Sequence, residues 1–314
     1  MAQTLAAREM IRTDNLTRRF GDVVAVEGLT LQVNRGEVFG FIGPNGAGKT
    51  TTVRMLCCLI SPTAGTAYIK DNEIGREPDS MNIRQMVGLL PEAPGLYERL
   101  SSYKNLDFYG QLYGLPEVRR RERIKALLEM LDMWKERDQP VSTFSKGMKQ
   151  KIAIARALVH DPEVLLLDEP TAGLDPRASK RVRDFLSDLK KEGRTIFLNT
   201  HNLAEAERLC DRVGVVNTRL VAIGSPGELK QKFWGRTTTI QLKRMLPRVV
   251  SAVKALPFAR NVRTENNNLL IDLQRPEEEN PAVVKTVLRS GGEIVFMTEL
   301  KRTLEDVYLE LIGG

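Results

Sequence analysis

Cysteine, histidine and aromatic residues are all scarce in this chain. Its 314 residues hold three cysteines, Cys57, Cys58 and Cys210. Two are adjacent, the number is odd and no Cys-x-x-Cys pair occurs. This argues against a disulfide framework and points to a reducing compartment. Two histidines, His160 and His201, leave little from which to build a zinc site. Phenylalanine, tyrosine and tryptophan make up 6% of the chain, which disfavours an aromatic surface for stacking on bases. No run of 18 consecutive apolar residues exists, so no membrane-crossing helix is expected. Residues 1–20 carry Arg8, Arg12, Arg18 and Arg19 and no apolar core, so a cleaved secretion signal is not expected either.

What remains is ordinary globular composition, 42% apolar and 28% charged, long enough for one large domain or two of usual size. Lysine and arginine number 47 against 40 acidic residues, a net charge of +7. That balance suits nucleic acid, a membrane surface or a phosphate-bearing ligand, and selects none of them. The excess is spread along the chain rather than gathered into a basic tail.

Leu29, Leu31 and Val33 alternate with polar neighbours, as in a half-buried strand. Val38–Ile42 is a short apolar run suited to a strand buried on both faces. It leads into a glycine-rich turn, Gly43–Gly48. A helix is predicted next, over 49–59, closed by Ser61-Pro62. Between about 95 and 160 the pattern turns helical, and Ile124, Leu127, Leu128 and Leu131 share one helix face. Glu163–Leu167 and Thr195–Asn199 read as further buried strands. Strands separated by helices imply an α/β fold with a mainly parallel sheet and the helical insert at its side. Near 230 the pattern restarts as strand, helix, two strands, helix and strand. A last amphipathic helix carries Leu304, Val307, Tyr308 and Leu311. This predicts a small ferredoxin-like α+β domain over 230–314, behind a larger domain over 1–229.

Gly43-Pro44-Asn45-Gly46-Ala47-Gly48-Lys49-Thr50 matches G-x-x-x-x-G-K-[ST] in full, between a predicted strand and a predicted helix. The glycines let backbone N–H groups converge on phosphates, and the helix N-terminus adds partial positive charge. Lys49 supplies a point charge, and the Thr50 hydroxyl, with Thr51 beside it, is a candidate Mg²⁺ ligand. A glycine turn that binds nothing is the plainer account; the full match in the right context argues against it. Downstream, Glu163-Val-Leu-Leu-Leu-Asp168-Glu169-Pro170 ends an apolar strand in two carboxylates. Asp168 is placed to hold Mg²⁺, and Glu169 to orient and deprotonate an attacking water. Alone, a solvent-facing acidic strand end would be the simpler reading; the P-loop upstream favours chemistry. Thr143–Gln150 sets small residues before a helical run, Lys151–Leu158. Ser145 and the backbone at Gly147 could offer donors to a phosphate, although Ser-x-Gly before a helix is more often a simple cap.

In this order the motifs resemble the ATP-binding subunit of an ABC transporter, over roughly residues 8–225. The family signature, usually Leu-Ser-Gly-Gly-Gln, reads Phe144-Ser145-Lys146-Gly147-Met148 here. Ser145 and Gly147, which the family sets against the γ-phosphate, are kept. The other three positions differ, and similar variants occur in the branch that includes drug and antibiotic-resistance exporters. Gly173-Leu-Asp175-Pro176 resembles the D-loop that crosses between subunits. Thr200-His201-Asn202 resembles the switch loop, whose histidine would donate a hydrogen bond to the γ-phosphate. Phe20 resembles the aromatic that stacks on adenine, a buried core aromatic being the alternative. Pro91-Glu92 stands where the family usually carries a glutamine and the exporter-like branch often a glutamate. As a charged ligand Glu92 could reach Mg²⁺. Leu96–Leu106 would face a coupling helix of the membrane partner. Thr303-Leu-Glu-Asp-Val-Tyr308-Leu resembles the ending of that branch's accessory domain.

The resemblance implies a P-loop ABC ATPase with a helical subdomain near 95–160 and with ATP and Mg²⁺ as ligands. It also implies ATP-driven pairing of two identical or related chains. The motor would sit at the cytoplasmic face of the membrane, bound to a separate integral membrane permease, and would serve export. No specific nucleic-acid partner is expected. Arg119–Arg123 reads as the solvated face of a helix, Glu277-Glu278-Glu279 as a favourable helix start, and Cys57, Cys58 and His160 as structural. The alternative is a soluble ABC-type ATPase acting on ribosomes, nucleic acid or a protein assembly. Translation-type members typically carry two cassettes in one chain, and repair-type members a long coiled-coil insert. Neither pattern occurs here.

Overall fold

Alternating burial shapes the first strands. β1 (Glu9–Phe20) and β2 (Val23–Asn34) form an antiparallel hairpin, with Leu29, Leu31 and Val33 turned inward and their neighbours outward. β4 (Ala64–Ile69) and β5 (Asn72–Glu73) complete this sheet in the order β2-β1-β4-β5. The structure, a computed structural model, describes residues 9–234, 236–300 and 303–313. The chain separates after Ser225 into two units, each with its own hydrophobic core. Among the described residues no helix is long and apolar enough to cross a membrane.

The second sheet carries the site. β3 (Val38–Ile42), β6 (Val87–Leu90), β7 (Val164–Asp168), β8 (Thr195–Thr200) and β9 (Arg212–Asn217) run parallel. β10 (Arg219–Gly224) closes one edge antiparallel, and the order is β10-β9-β3-β8-β7-β6. Every residue of β3, β7 and β8 is buried, which is why they read as continuous apolar runs. Phe197 of β8 meets Phe39 and Phe41 of β3 with ring centroids 5.6 and 5.1 Å apart. Leu29, Val33 and Ile69 join them in one core spanning both sheets, where each such side chain contributes roughly 1.5–3 kcal/mol. In register, Asn199 lies between Phe41 of β3 and Asp168 of β7. The carboxyl ends of three strands therefore stand side by side, the usual ligand position in open α/β sheets.

Helices make the connections. α1 (Lys49–Leu56) follows the glycine turn and α2 (Asp79–Met86) precedes β6. α3 (Ser102–Leu112), α4 (Glu117–Met130) and α5 (Lys146–Leu158) form the helical insert. α6 (Pro176–Lys191) and α7 (Leu203–Leu209) follow β7 and β8. α1 ends at Leu56 rather than at the predicted Leu59. Cys58 turns left-handed, at φ +55°, and the N–H groups of Cys58 and Leu59 bond to the carbonyls of Met55 and Arg54, each at 2.9 Å. α5 begins at Lys146, earlier than the predicted Lys151, because the Ser145 hydroxyl caps it by accepting from the Met148 N–H at 3.3 Å.

The arginine run on α4 is only partly a wet face. Arg119 and Arg121 are exposed. Arg120 pairs with Asp107 and donates to the Leu115 carbonyl at 2.8 Å, and Arg123 reaches the Leu158 carbonyl at 3.1 Å and Asp161 at 3.0 Å. His160 is structural: its ring stacks on Tyr113 with centroids 3.7 Å apart, and Nε2 lies 3.0 Å from the Val87 carbonyl oxygen.

The second unit starts with α8 (Pro226–Trp234) and ends with α11 (Leu304–Gly313). Between them run β11 (Arg236–Leu242), α9 (Pro247–Lys254), β12 (Arg260–Glu265), β13 (Asn268–Leu273), α10 (Pro276–Arg289) and β14 (Ile294–Glu299). The sheet is antiparallel in the order β12-β13-β11-β14, which with the βαββαβ succession is the ferredoxin-like plan. Ile240, Leu269 and Ile271 of the sheet pack with Val249 and Val253 of α9 and Val283 and Val287 of α10. Glu277, Glu278 and Glu279 occupy the first turn of α10, where Glu279 accepts from the N–H groups of Gln274 and Arg275 at 3.0 and 2.9 Å.

Candidate nucleotide site

The turn between β3 and α1 is too tight for side chains at two of its glycines. Gly48 has φ +90°, and a Cβ there would lie 2.1 Å from the Ala25 carbonyl oxygen. A Cβ on Gly43 would lie 2.2 Å from the carbonyl oxygen of Val216. The backbone thus curls around Lys49, whose Nζ donates to the Gly43 and Pro44 carbonyls at 2.8 and 3.1 Å. Burial lowers the Lys49 pKa from its ordinary value, and the carboxylates of Glu169, Asp168 and Glu92 oppose that shift.

The next residue links turn to strand end. Thr50 Oγ1 donates to Asp168 Oδ2 at 2.9 Å. The other carboxylate oxygen, Oδ1, accepts from Asn199 Nδ2. Burial pushes the Asp168 carboxyl up; the bonds from Thr50 and Asn199 work against this, while nearby Glu169 and Glu92 add to it. Glu169 adopts φ +51°, a left-handed backbone that is strained for a residue with a Cβ. Surrounding bonds hold it there. Its N–H donates to the Asn199 carbonyl at 2.9 Å, and its Oε1 accepts from the His201 backbone N–H at 2.9 Å and lies 2.7 Å from His201 Nδ1. Thr200 Oγ1 is 3.4 Å from Glu169 Oε2, a looser contact. Two further bonds pin the segment after Glu169. Thr171 Oγ1 donates to the buried Glu205 at 2.8 Å, and Gln150 of α5 donates to the Pro170 carbonyl, also at 2.8 Å.

Lys49, Thr50, Asp168, Glu169 and His201 face one cavity of about 430 Å³. Of the expected residues, Asn45, Gly46, Gly48, Lys49, Thr50, Thr51, Glu92, Asp168, Glu169 and His201 line it. Gly43 and Pro44 contribute the carbonyls that hold Lys49, and Ala47 is buried beneath the turn. Phe20, Ser145, Gly147 and Asp175 lie outside the lining. Phe20 is 47% exposed, so it is no core aromatic, and the Arg18 guanidinium sits 4.5 Å from its ring centre. Asp175 caps α6 by accepting from the N–H groups of Arg177 and Ala178, each at 2.9 Å, which holds its carboxyl below the usual range.

A model of the ABC transporter family matches residues 26–172, and one for the C-terminal domain of DrrA1-3-like ATP-binding proteins matches residues 224–312. Nod factor export ATP-binding protein I of Ralstonia nicotianae is 36% identical, covering 98% of this chain and 95% of that protein. Daunorubicin resistance ATP-binding protein DrrA3 of Streptomyces coeruleorubidus is 37% identical, covering 96% of each. The chain belongs to the ABC transporter ATP-binding family. A solved ATP-binding subunit of an ABC transporter matches at TM-score 0.66 and 32% identity, over 72% of this chain and 94% of that one. The first unit is thus the ATP-binding, ATP-hydrolysing domain of an ABC ATPase.

In this ABC subunit the donor set around Asp168 suits Mg²⁺. Among the described residues no group of three or more histidine, cysteine or acidic side chains could hold a metal unaided. Mg²⁺ beside a nucleotide needs fewer protein ligands, because it keeps waters and shares phosphate oxygens. The Thr50 hydroxyl and the Asp168 and Glu92 carboxylates line the cavity and offer hard oxygen donors. Ala25, Ala172 and Asn199 line the cavity without having been expected. The alanines carry no chemical signal. Asn199 carries one, a carboxamide directly after the apolar run Ile196–Leu198 of a buried strand.

Proposed function

We propose that this chain is the ATP-driven subunit of an exporter, working as a pair with an identical or related subunit. Its partner is a separate integral membrane permease, which holds it at the cytoplasmic face of the membrane. One observation carries the pairing. Ser145 and Gly147 open α5, and neither lines the phosphate cavity of its own chain. A second chain would bring its own two signature residues to that cavity. Contacts made only in the closed pair would then let ATP favour closure by their differential free energy. Asp175 is the residue assigned to the crossing between paired chains, and the exposed ring of Phe20 is assigned to adenine.

Within one site the roles follow from placement. Lys49 sets a positive charge against the β- and γ-phosphates. Thr50, Asp168 and Glu92 would hold Mg²⁺, which when bound offsets phosphate charge and polarises the γ-phosphoryl group. Glu169 has Oε1 engaged by His201 and leaves Oε2 to take the proton of an attacking water. The water oxygen forms the new bond to the γ-phosphorus as the bridging P–O bond breaks, giving ADP and phosphate. His201 steadies Glu169 and reaches the γ-phosphate from the same cavity wall.

The permease contact is assigned to the neighbourhood of Leu96–Leu106. Tyr97 and Phe108 are 47% and 37% exposed and meet edge to face, 5.1 Å between centroids. Leu112, exposed on the same face of α3 as Phe108, extends the group. Clustered exposed apolar side chains of this kind support a docking surface. The relatives named for Nod factor export and daunorubicin resistance favour outward transport. Glu169→Gln tests the reading. ATP binding survives, turnover falls about 10²–10⁴-fold, and the chain accumulates as an ATP-bound pair that co-purifies in detergent with a multi-span membrane protein. Unchanged turnover sinks the assignment of Glu169 as base. Ribosomal or DNA-bound proteins in place of a membrane protein would give the motor a soluble partner instead.

A further inference from the structure

Phe20 stands at the tip of the β1–β2 hairpin, outside the phosphate cavity but close to it. Arg18 pairs with Val26 and Arg19 with Val24, so Ala25 is left over as a bulge. That bulge reaches the site. Ala25 lines the cavity, and its carbonyl oxygen leaves no room for a Cβ on Gly48 of the glycine turn. Phe20 pairs with Val23, two residues from Ala25, which is roughly 7 Å at the usual rise of a strand. The ring is not left to itself there. The Arg18 guanidinium carbon lies over its face, 4.5 Å from the centre. The guanidinium also donates to the Ser61 carbonyl at 2.9 Å. The backbone beside it is fixed as well: the Arg19 N–H donates to Thr63 Oγ1 at 3.0 Å, and the Thr63 N–H to the Thr17 carbonyl at 2.8 Å. Ser61 and Thr63 belong to the connection between α1 and β4, so the hairpin tip is braced against the segment that follows the phosphate-binding helix. A planar cation on the negative face of a ring is attracted to it, and arginine offers a plane that lysine lacks. With the guanidinium over one face, Phe20 is still 47% exposed, so its open area lies on the opposite face and the edge.

We infer that Arg18 is a positioning residue for adenine: anchored on the Ser61 carbonyl, its guanidinium backs one face of Phe20 and leaves the other to the base. This rests on the assignment of Phe20 to adenine. The base completes a stack of guanidinium, ring and purine. Because the ring is held before the nucleotide arrives, less has to be ordered on binding. Arg18 itself touches neither the base nor the phosphates, so its whole contribution passes through Phe20.

Calorimetric titration of the full chain with two probes tests the inference. One is a non-hydrolysable ATP analogue; the other is tripolyphosphate, which carries the phosphates and no base. Phe20→Ala lowers analogue affinity about 5- to 100-fold, the worth of one base–aromatic stack, and leaves tripolyphosphate unchanged. Arg18→Met, which keeps an unbranched stem beside the ring, lowers analogue affinity about two- to fivefold, the worth of a cation–π contact at an exposed site, and also leaves tripolyphosphate unchanged. In the double variant the arginine substitution adds nothing to the loss from Phe20→Ala, because the two residues act as one unit. A merely structural role would weaken both probes. Should the methionine variant lose tripolyphosphate as well, Arg18→Gln, which keeps a donor for the Ser61 carbonyl, takes its place in the cycle, and loss of tripolyphosphate there too overturns the inference. Parent-like analogue affinity in the Arg18 variants overturns it. So does a loss that persists in full when Phe20 is already alanine. If Phe20→Ala binds both probes like the parent chain, the adenine assignment itself fails, and that failure is read from the single variant alone.

Discussion

The two histidines of this chain show how far one residue's surroundings decide its role. His201 lies against Glu169 at the cavity wall. His160 is packed on Tyr113, and burial pushes its pKa down from 6.5 to about 4, with the hydrogen bond to the Val87 carbonyl opposing. The folded pKa is therefore below the unfolded one. As pH falls through 6.5 the unfolded chain takes up the proton first, so stability is lost between about 6.5 and 4 and is intact above. Compared with His160→Phe, which keeps a ring against Tyr113, the parent chain should lose up to about 3 kcal/mol over that window in urea titrations. A pH-independent difference between the two chains would refute the assignment. Sequence context set the two histidines apart, because His201 follows an apolar strand at the end of an ordered motif series, and the structure puts only His201 at the cavity. That context gave no warning of Asn199, whose partner Asp168 comes from a neighbouring strand and is known only once β7 and β8 are paired.

At the level of elements, the buried strands were legible and the helix ends were not. Continuous apolar runs such as Val38–Ile42 mark strands covered on both faces, and the structure has them there. The end of α1 lacked its usual cue. A left-handed residue after the helix is normally glycine, and here Cys58 takes that conformation, so periodicity alone carried the expected helix to Leu59. Cys58 also packs against the main core, which explains a side chain at a position that strains it. The strain makes a prediction with an unusual sign. Inside a helix glycine is less stable than alanine by about 1 kcal/mol, but at position 58 Cys58→Gly should be more stable than Cys58→Ala by about that amount. Denaturant midpoints of the two variants check it, and the ordinary ranking, alanine above glycine, would count against the left-handed end.

For the whole molecule, succession along the chain revealed the ferredoxin-like unit because its strands and helices alternate within a short span. The six-stranded order of the first unit was not legible, since β3 lies between β8 and β9, far along the chain. That long-range order is what collects Lys49, Asp168 and Asn199 in one place, so the site exists only when the first unit is folded. The second unit has an independent core centred on Ile240, Ile271, Val253 and Val287. All of the cavity-lining residues belong to the first unit. Ile271 is fully buried, so Ile271→Ala should cost about 2–5 kcal/mol, felt in the second unit alone. Calorimetry should then resolve an early transition, while the affinity for an ATP analogue stays at the parent value below that transition. A parallel loss of nucleotide affinity would mean that the two cores do not melt separately, and that the nucleotide fold depends on the accessory unit for its stability.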